Sequence, residues 1–552
     1  MAMSLQPQEI APVPEETQRI ARAAFPKGNI YVRMRDEIGT IYDDPMFAQL
    51  FPSRGQPAES PWRLALITVM QFVEGLSDRQ AADAVRSRID WKYALSLELT
   101  DPGGDASVLC EFRARLVEDA AGPALLEAML SRFKERGLLK VRGRQRTDST
   151  HVLAAIRTLN RLESIAETLR ATLNAVATAA PDWLIGVIAP DWFDRYAIRV
   201  EEYRLPKGEV ARTALGERIG ADGHALLAAV YDPTAPIWLR ELPAIQTLRR
   251  AWVHQFVVED DVVRWRKAAD LPPASTRFDS PYDADAHFGN KRATTWTGYK
   301  VHVTETCDDD APHLIVHVET TPAPVTDSDM TAPIQQALVD KGLVPATHLA
   351  DAGYVDAELL VTSLTNHGIE LLGPVRPDVS WQAKEGKGFD ISAFDIDWET
   401  GKVACPKGET SVDWTPTRDN WGNDTIHIGF PRKTCAACAS RPLCTRAKAG
   451  PREITLRPRP LHEALQKVRR LQETDGWRDR YGKRAGIEGT LSQAVRAFGL
   501  RRCRYLGLAK TKLQHVFTAI AINVVRVDAW LTGQPIAKTR RSAFASLKPM
   551  AA

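Results

Sequence analysis

The apolar positions of the chain change rhythm several times along its length. From Pro61 to Leu139 they recur with helical spacing. The stretch SPWRLALITVMQFVEG opens on Ser60 and Pro61, a capping residue followed by proline at the first helical position. Breaks near Gly75 and Ile89 divide LSDRQAADAVRSRIDWKYAL into short helices. Two short helices about a tight turn suit a DNA-reading helix-turn-helix, and they suit a small packing bundle equally well. GRQRTDSTHVLAAI then reads as a strand carrying Asp148 that runs on into a helix start. From Arg157 to Thr276 the helical rhythm returns, with Leu159, Leu162, Ile165, Leu169, Leu173 and Val176 close to a 3.6-residue period.

Alternation takes over after that. In TTWTGYKVHVTETCD, Tyr299, Val301 and Val303 fall on one face and Lys300, His302 and Thr304 on the other. APHLIVHVETTPAP is a second strand, and the short Asp- and Pro-bearing link predicts a hairpin. TAPIQQALVDKG predicts a helix ended by Gly342, VPATHLADAGYVD a strand ending at Asp351, AELLVTSLTNHG a helix and IELLGPVRP a further strand. Strands followed by this alternation of strand and helix predict a mixed α/β core. Asp351 would stand at the C-terminal end of a parallel strand, where open α/β sheets place their ligands. Residues 376–455 read as irregular and cysteine-bearing, and Leu461 to Leu531 as helical and basic.

These changes divide the 552 residues as follows: a flexible start over 1–30, a helical domain over 31–139 that is a candidate for DNA binding, and a core built from 140–160 and 277–376. A helical insertion fills 161–276. A Cys-rich insertion fills 377–460, a basic helical part of the core 461–535, and a flexible tail 536–552. Hydrophobic residues make up 44% of the chain and charged ones 26%, enough for a sizeable core in several domains. No apolar run is long enough for a membrane span, and the N-terminus lacks the pattern of a secretory signal, so a cytoplasmic location is expected.

The formal net charge of +3 conceals an asymmetry. Arg432 to Lys512 holds 21 Lys and Arg against 6 Asp and Glu, leaving the remainder at −12. So basic a block points to a polyanion bound at one place; charge runs also serve simply as solubilising helix faces. Within it, Glu488 is the single carboxylate between Asp479 and Asp528. Asp148, Asp351 and Glu488 are 203 and 137 positions apart, so only a fold could join them. Mg²⁺-type ions bind hard carboxylate oxygens together with substrate phosphate. Two such ions about 3.5–4 Å apart clamp the attacking and leaving oxygens of an in-line phosphoryl displacement. Each acid also has a plainer reading, Asp148 as a helix cap, Asp351 as a turn residue and Glu488 as a lone charge on a solvated helix face. Asp283 and Asp285 are further candidate metal ligands that read better as turn residues, and His302 and His317 read as core or face residues in preference to ligands.

Tyr481, Arg484 and Glu488 lie at i, i+3 and i+7, one face of a helix. On that face Arg484 could grip a phosphate and Tyr481 could bond one or stack on a base. Gly486 and Gly489 weaken the helix and would let DNA backbone come close. This Y-x₂-R-x₃-E pattern, with RTDSTHV and ADAGYVD as first- and second-Asp motifs, resembles a branch of bacterial insertion-sequence DDE transposases. The strand pair SPYDADAHFGNKRATTWTGYKVHVTETCD is similar as well. The branch's usual Lys seven residues after the Glu is replaced here by Val495, with Arg496 next to it.

The resemblance implies an RNase H-like core with Asp148, Asp351 and Glu488 as catalytic and metal-holding acids, taking two Mg²⁺ or Mn²⁺ ions. It implies Tyr481, Arg484, Arg496, Arg501, Arg502 and Lys510 as DNA-binding residues. The partners would be double-stranded DNA (terminal inverted repeats and target) and a second copy of the chain in the active complex, on the bacterial nucleoid. The reaction would be cleavage at the element ends followed by strand transfer. The competing readings are a catalytically silent DNA-binding relative and a metal-dependent nuclease on the same fold.

Four of the seven cysteines cluster late. Cys435-x₂-Cys438 is a zinc half-site, and Cys405 and Cys444 would complete a tetrahedral set for a structural Zn²⁺. Free or redox-active thiols are the other reading. An irregular polar segment could not easily build a core alone, so a metal would supply folding energy.

Overall fold

The computed structural model describes residues 3–535 apart from 158, 274, 275 and 292, so the tail expected over 536–552 lies outside the described residues. Its centre is a six-stranded mixed sheet: β1 (Arg144–Leu153), β2 (His287–Lys291), β3 (Thr294–Thr306), β4 (Ile315–Pro322), β5 (Thr347–Leu349) and β6 (Glu370–Leu372). β6, β5 and β1 run parallel, and β1 pairs antiparallel with β3. The other edge of β3 is shared along its length, β2 pairing with its first half and β4 with its second. The mixed sheet with helices against it is the RNase H-like core that the sequence motifs imply, joined to helical domains. The β3–β4 hairpin forms as its alternation predicts, but both faces of β3 are largely buried, so the polar face holds buried His302, Thr304 and Thr306.

β1 is longer than its neighbours in the parallel group and ends at Leu153, and the next helix among the described residues begins at Arg161. The expected run from strand straight into helix is therefore replaced by a connecting stretch. Helix Arg161–Ala179 begins a unit with its own apolar core, built from Leu162, Ile165, Leu169, Ile219, Leu226, Leu248 and Trp252 among others. This unit is not wholly helical: Phe256–Glu259 and Val262–Trp265 form an antiparallel hairpin.

At the N-terminus, the start expected to be flexible carries helix Glu15–Ala24, whose Thr17 and Ala21 are buried; Thr17 donates to the Leu97 carbonyl at 2.8 Å. Its apolar residues sit among acids and prolines, which dilutes their signal. Helix Pro61–Glu74 follows its predicted limits and ends on Gly75 in the left-handed region, φ 70°. Ser60 makes no side-chain cap, leaving Pro61 alone to start the helix. Helices Asp78–Ser87 and Ile89–Ala94 follow.

The segment 376–455, read as irregular, folds into short strands around a small apolar core of Phe394, Val403, Ile428, Phe430, Ile454 and Leu456. Its strands are three to six residues long, too short for an alternation pattern to stand out. Those apolar residues supply a core of the segment's own, where the sequence reads as too irregular and polar to build one easily.

The long last helix, Leu508–Leu531, ties the molecule together. It packs on β4 and on helices Pro61–Glu74 and Gly122–Glu135 of the N-terminal domain. Phe517 stacks on Phe72 with ring centroids 5.4 Å apart, and Asn523 exchanges two 2.8 Å hydrogen bonds with the Ile315 backbone. Asp283 and Asp285, read as turn residues, accept the Gly507 and Leu508 amides at 3.1 Å and so cap this helix, where a carboxylate is favoured. Among the described residues no helix is long and apolar enough to cross a membrane.

Candidate active site

Asp148 and Asp351 arrive at the same level by register. Arg146 of β1 pairs with Leu349 of parallel β5, and each aspartate stands two residues further on. Period-two alternation puts Arg146, Asp148 and Thr150 on one face of β1. Each of the three grips the basic segment near the end of the chain. Arg146 Nη1 donates to the Lys483 carbonyl at 2.5 Å, Asp148 accepts from Arg484 at 2.7 Å, and Thr150 accepts from Arg501 Nε at 2.8 Å.

That segment is helical in three pieces rather than one. Tyr481 lies in helix Asp475–Gly482, Arg484 in the 3₁₀ turn Lys483–Ala485, and Glu488 in the first turn of helix Gly486–Phe498. Asp148, Asp351 and Glu488 thus converge on one group, the Arg484 guanidinium. It lies 2.7 Å from Asp148 Oδ2, 3.1 Å from Glu488 Oε1 and 3.8 Å from Asp351 Oδ2. Arg484 is only 14% exposed, and its Nε is buried without a hydrogen-bond partner.

The acids differ in surroundings. The Asp148 side chain is 11% exposed, Asp351 31% and Glu488 67%, a gradient from core to solvent. Burial raises the Asp148 carboxyl above the usual range, even though Arg484 and the Ser149 amide pull it down. Among the described residues no group of three or more His, Cys, Asp or Glu is arranged to hold a metal ion. The three acids nevertheless share one cation, the guanidinium, and offer the hard oxygens that Mg²⁺ prefers. By donor chemistry they fit such an ion in its place.

Of the residues expected on DNA, Arg484 faces the acids instead of solvent, and Tyr481 is half-buried, stacked on Trp477 with centroids 4.8 Å apart. Arg496, Arg501, Arg502 and Lys510 are exposed. Val495 packs against the main core, which is why no cation stands at that position. Gly486 leaves room for the Arg146 guanidinium, with which a Cβ there would collide. Gly489 has open space around it.

Asp327 is a carboxylate that sequence reasoning missed. It accepts from Ser149 Oγ at 2.9 Å and pairs with Lys300 at 3.2 Å and Lys291 at 3.6 Å. A Cβ on Gly353 would stand 3.0 Å from Asp351 Oδ1 and 3.3 Å from Asp327 Oδ2, so the two acids flank one glycine. Burial pushes its carboxyl up, but the two lysines bring it below the usual range. The only signal in the sequence is the pair of Asp residues in TDSD, of which Asp327 is the first, and it gives no reason to prefer either. His302 and His317 are buried; His302 bonds the Tyr354 hydroxyl at 2.6 Å and burial lowers its pKa to about 4.

Cys405, Cys435, Cys438 and Cys444 line one pocket of about 260 Å³ together with Arg452 and Phe430. Burial raises the Cys444 thiol, against the pull of Arg452. Four thiols are the soft donor set zinc prefers, though they do not close into a metal-holding group. Cys307 is buried, Cys110 exposed and Cys503 half-buried.

Two family models match the chain. Residues 404–527 match a transposase DDE domain and residues 19–115 a transposase domain, and together they support an insertion-sequence DDE transposase. The first match spans Glu488 and the four cysteines and does not reach Asp148 or Asp351. No curated protein matches the chain.

Proposed function

We propose that this transposase cuts DNA at the ends of its element and joins the freed ends to target DNA, with Asp148, Asp351 and Glu488 as its metal-holding acids. The observation that carries the reading is the convergence of those acids, from three distant segments, on a single cation. Bound there, divalent ions of the Mg²⁺ or Mn²⁺ type would supply the clamp on attacking and leaving oxygens that in-line displacement needs.

The chain's own part is to place the DNA. Lys291, 53% exposed and close enough to Asp148 to bias its charge, is suited to a backbone phosphate beside the cut. Arg501, fixed on Thr150 two positions along β1, would hold the next one. Arg496, Arg502 and Lys510 extend this surface. Arg484 would move from carboxylates to phosphate, since a guanidinium binds either with paired hydrogen bonds. The helical N-terminal domain supplies a candidate reader of the inverted repeats, and two ends handled together call for two copies of the chain. The cysteine pocket takes a structural zinc in this reading.

The test is an end-labelled inverted-repeat duplex incubated with Mg²⁺ and a target plasmid. Wild-type protein should give cleaved ends and joined products. Loss of an outer ligand support typically lowers activity 10–100-fold, so Asp351→Asn should lose at least about a hundredfold. Cleavage without joining would turn the reading to a nuclease, and normal cleavage by Asp351→Asn would remove Asp351 from the site.

A further inference from the structure

Glu305 lies on β3 directly opposite Arg146 of β1, and its side chain is fully buried. A carboxylate in such a place must be paired to stay charged. Arg146 Nε donates to Oε1 at 2.7 Å, while Thr490 Oγ1 and Arg526 Nη1 both donate to Oε2 at 2.6 Å. Burial would raise the carboxyl, and the two guanidiniums hold it below the usual range.

The four residues come from four elements. Arg146 is two residues before Asp148 on β1, and Thr490 is two residues after Glu488 on helix Gly486–Phe498. Arg526 belongs to the last helix, from which it also donates to Thr490 Oγ1 at 2.6 Å and to the His313 carbonyl at 2.6 Å. Arg146 in turn reaches the Lys483 carbonyl just ahead of the Glu488 helix, passing over Gly486, where no side chain would fit. The Glu488 helix is therefore held from just before its start, at Lys483, and from just after its first turn, at Thr490, by groups bonded to Glu305.

Stability alone does not call for such a network. Buried ion pairs replaced by apolar residues of similar volume are often as stable or more so, whereas charged pairs with fixed hydrogen-bond directions define register. Register matters here, because a functional constellation must be held to within about 0.5 Å. We infer that Glu305, clamped between Arg146 and Arg526 and bonded to Thr490, is a positioning residue that sets the distance from Glu488 to Asp148. This rests on the acid assignment made above.

Thr490→Val is the sharpest probe, because it keeps shape and removes only the hydroxyl that joins helix to Glu305. Glu305→Gln and Thr490→Ser accompany it. Three quantities are read: Mn²⁺ affinity of the protein bound to an uncleaved DNA end, by electron paramagnetic resonance; cleavage rate at saturating DNA; and duplex affinity. Thr490→Val should weaken Mn²⁺ binding and slow cleavage about tenfold each, with duplex affinity within twofold of wild type, and Thr490→Ser should restore both. A lower melting temperature with unchanged Mn²⁺ affinity and rate would make the network structural only and overturn the inference. Metal-independent cleavage by wild type would overturn the acid assignment and this inference with it. A dead Asp351→Asn beside a normal Thr490→Val would overturn this inference alone.

Discussion

Arg484 reaches across 336 positions of the chain to place Nη2 2.7 Å from Asp148, while its Nη1 stands 3.1 Å from Glu488 in its own segment. The first and third acids are thus joined by a cation that the chain carries itself. Neutralising that cation should help a metal ion compete. Arg484→Gln should bind Mn²⁺ about tenfold more tightly without DNA, yet cleave more slowly for want of a phosphate ligand. Because Arg484 pulls the Asp148 carboxyl down against burial, its loss should move the acid limb of the cleavage profile to higher pH. Mn²⁺ titration of the DNA-free variant checks the first point; unchanged affinity would mean that the guanidinium does not guard the acids.

The exposed cations predict a salt dependence. Each phosphate contact contributes about 0.9 to the slope of log K against log salt on duplex DNA. Replacing Arg496, Arg502 and Lys510 by Ala together should lower the slope by up to about 2.7, with little change in melting temperature because all three are exposed. Binding isotherms at several salt concentrations measure it, and an unchanged slope would place DNA elsewhere.

Buried histidines make the fold sensitive to mild acid. Burial lowers His348 and His515 to about 4 from an ordinary value of 6.5. The unfolded chain takes up these protons first as pH falls from about 6.5 to 4, so stability drops across that window and is steady above it. Urea midpoints should fall between pH 7 and 5, less steeply in His348→Gln. Parallel profiles for wild type and variant would remove His348 from the account.

Zinc at the cysteine pocket gives a separable forecast. Purified protein should carry about one zinc per chain, and Cys435→Ser with Cys438→Ser should remove it. Because the unit has its own apolar core, the stripped variant should keep its strands and lose protection from protease mainly around the cysteine helices. Elemental analysis and limited proteolysis decide; zinc-free wild type would leave the thiols without this role.

What the sequence disclosed follows from where the chemistry lay. Asp351 was legible because it follows a short strand with an apolar end, whereas Asp148 lies in a largely polar strand and stood out by the RTDSTHV motif. Glu488 stood out by charge contrast, as the single acid in a basic stretch. Glu305 was not legible, since it continues the apolar face of Tyr299, Val301 and Val303, where an acid reads as the end of the alternation, and only pairing with Arg146 and Arg526 from distant segments makes its burial tolerable. Asp327 was hidden in a turn where Asp is common. The strands of residues 376–455 were hidden by their shortness, and the break at Lys483 by a motif spacing that one helix also satisfies.

The closing helix carries a consequence for how the protein is made. Leu508–Leu531 fills the seam between the sheet and the N-terminal helices, and Arg526 within it completes the Glu305 anchor. Synthesis proceeds from the other end, so the N-terminal helices and β1 leave the ribosome while their central packing partner is still untranslated. A nascent chain would hold open apolar surface until that helix emerges. Premature release anywhere before Arg526 would leave Glu305 without one of its two guanidiniums, so the buried charge would be compensated in full only in copies that reach that residue.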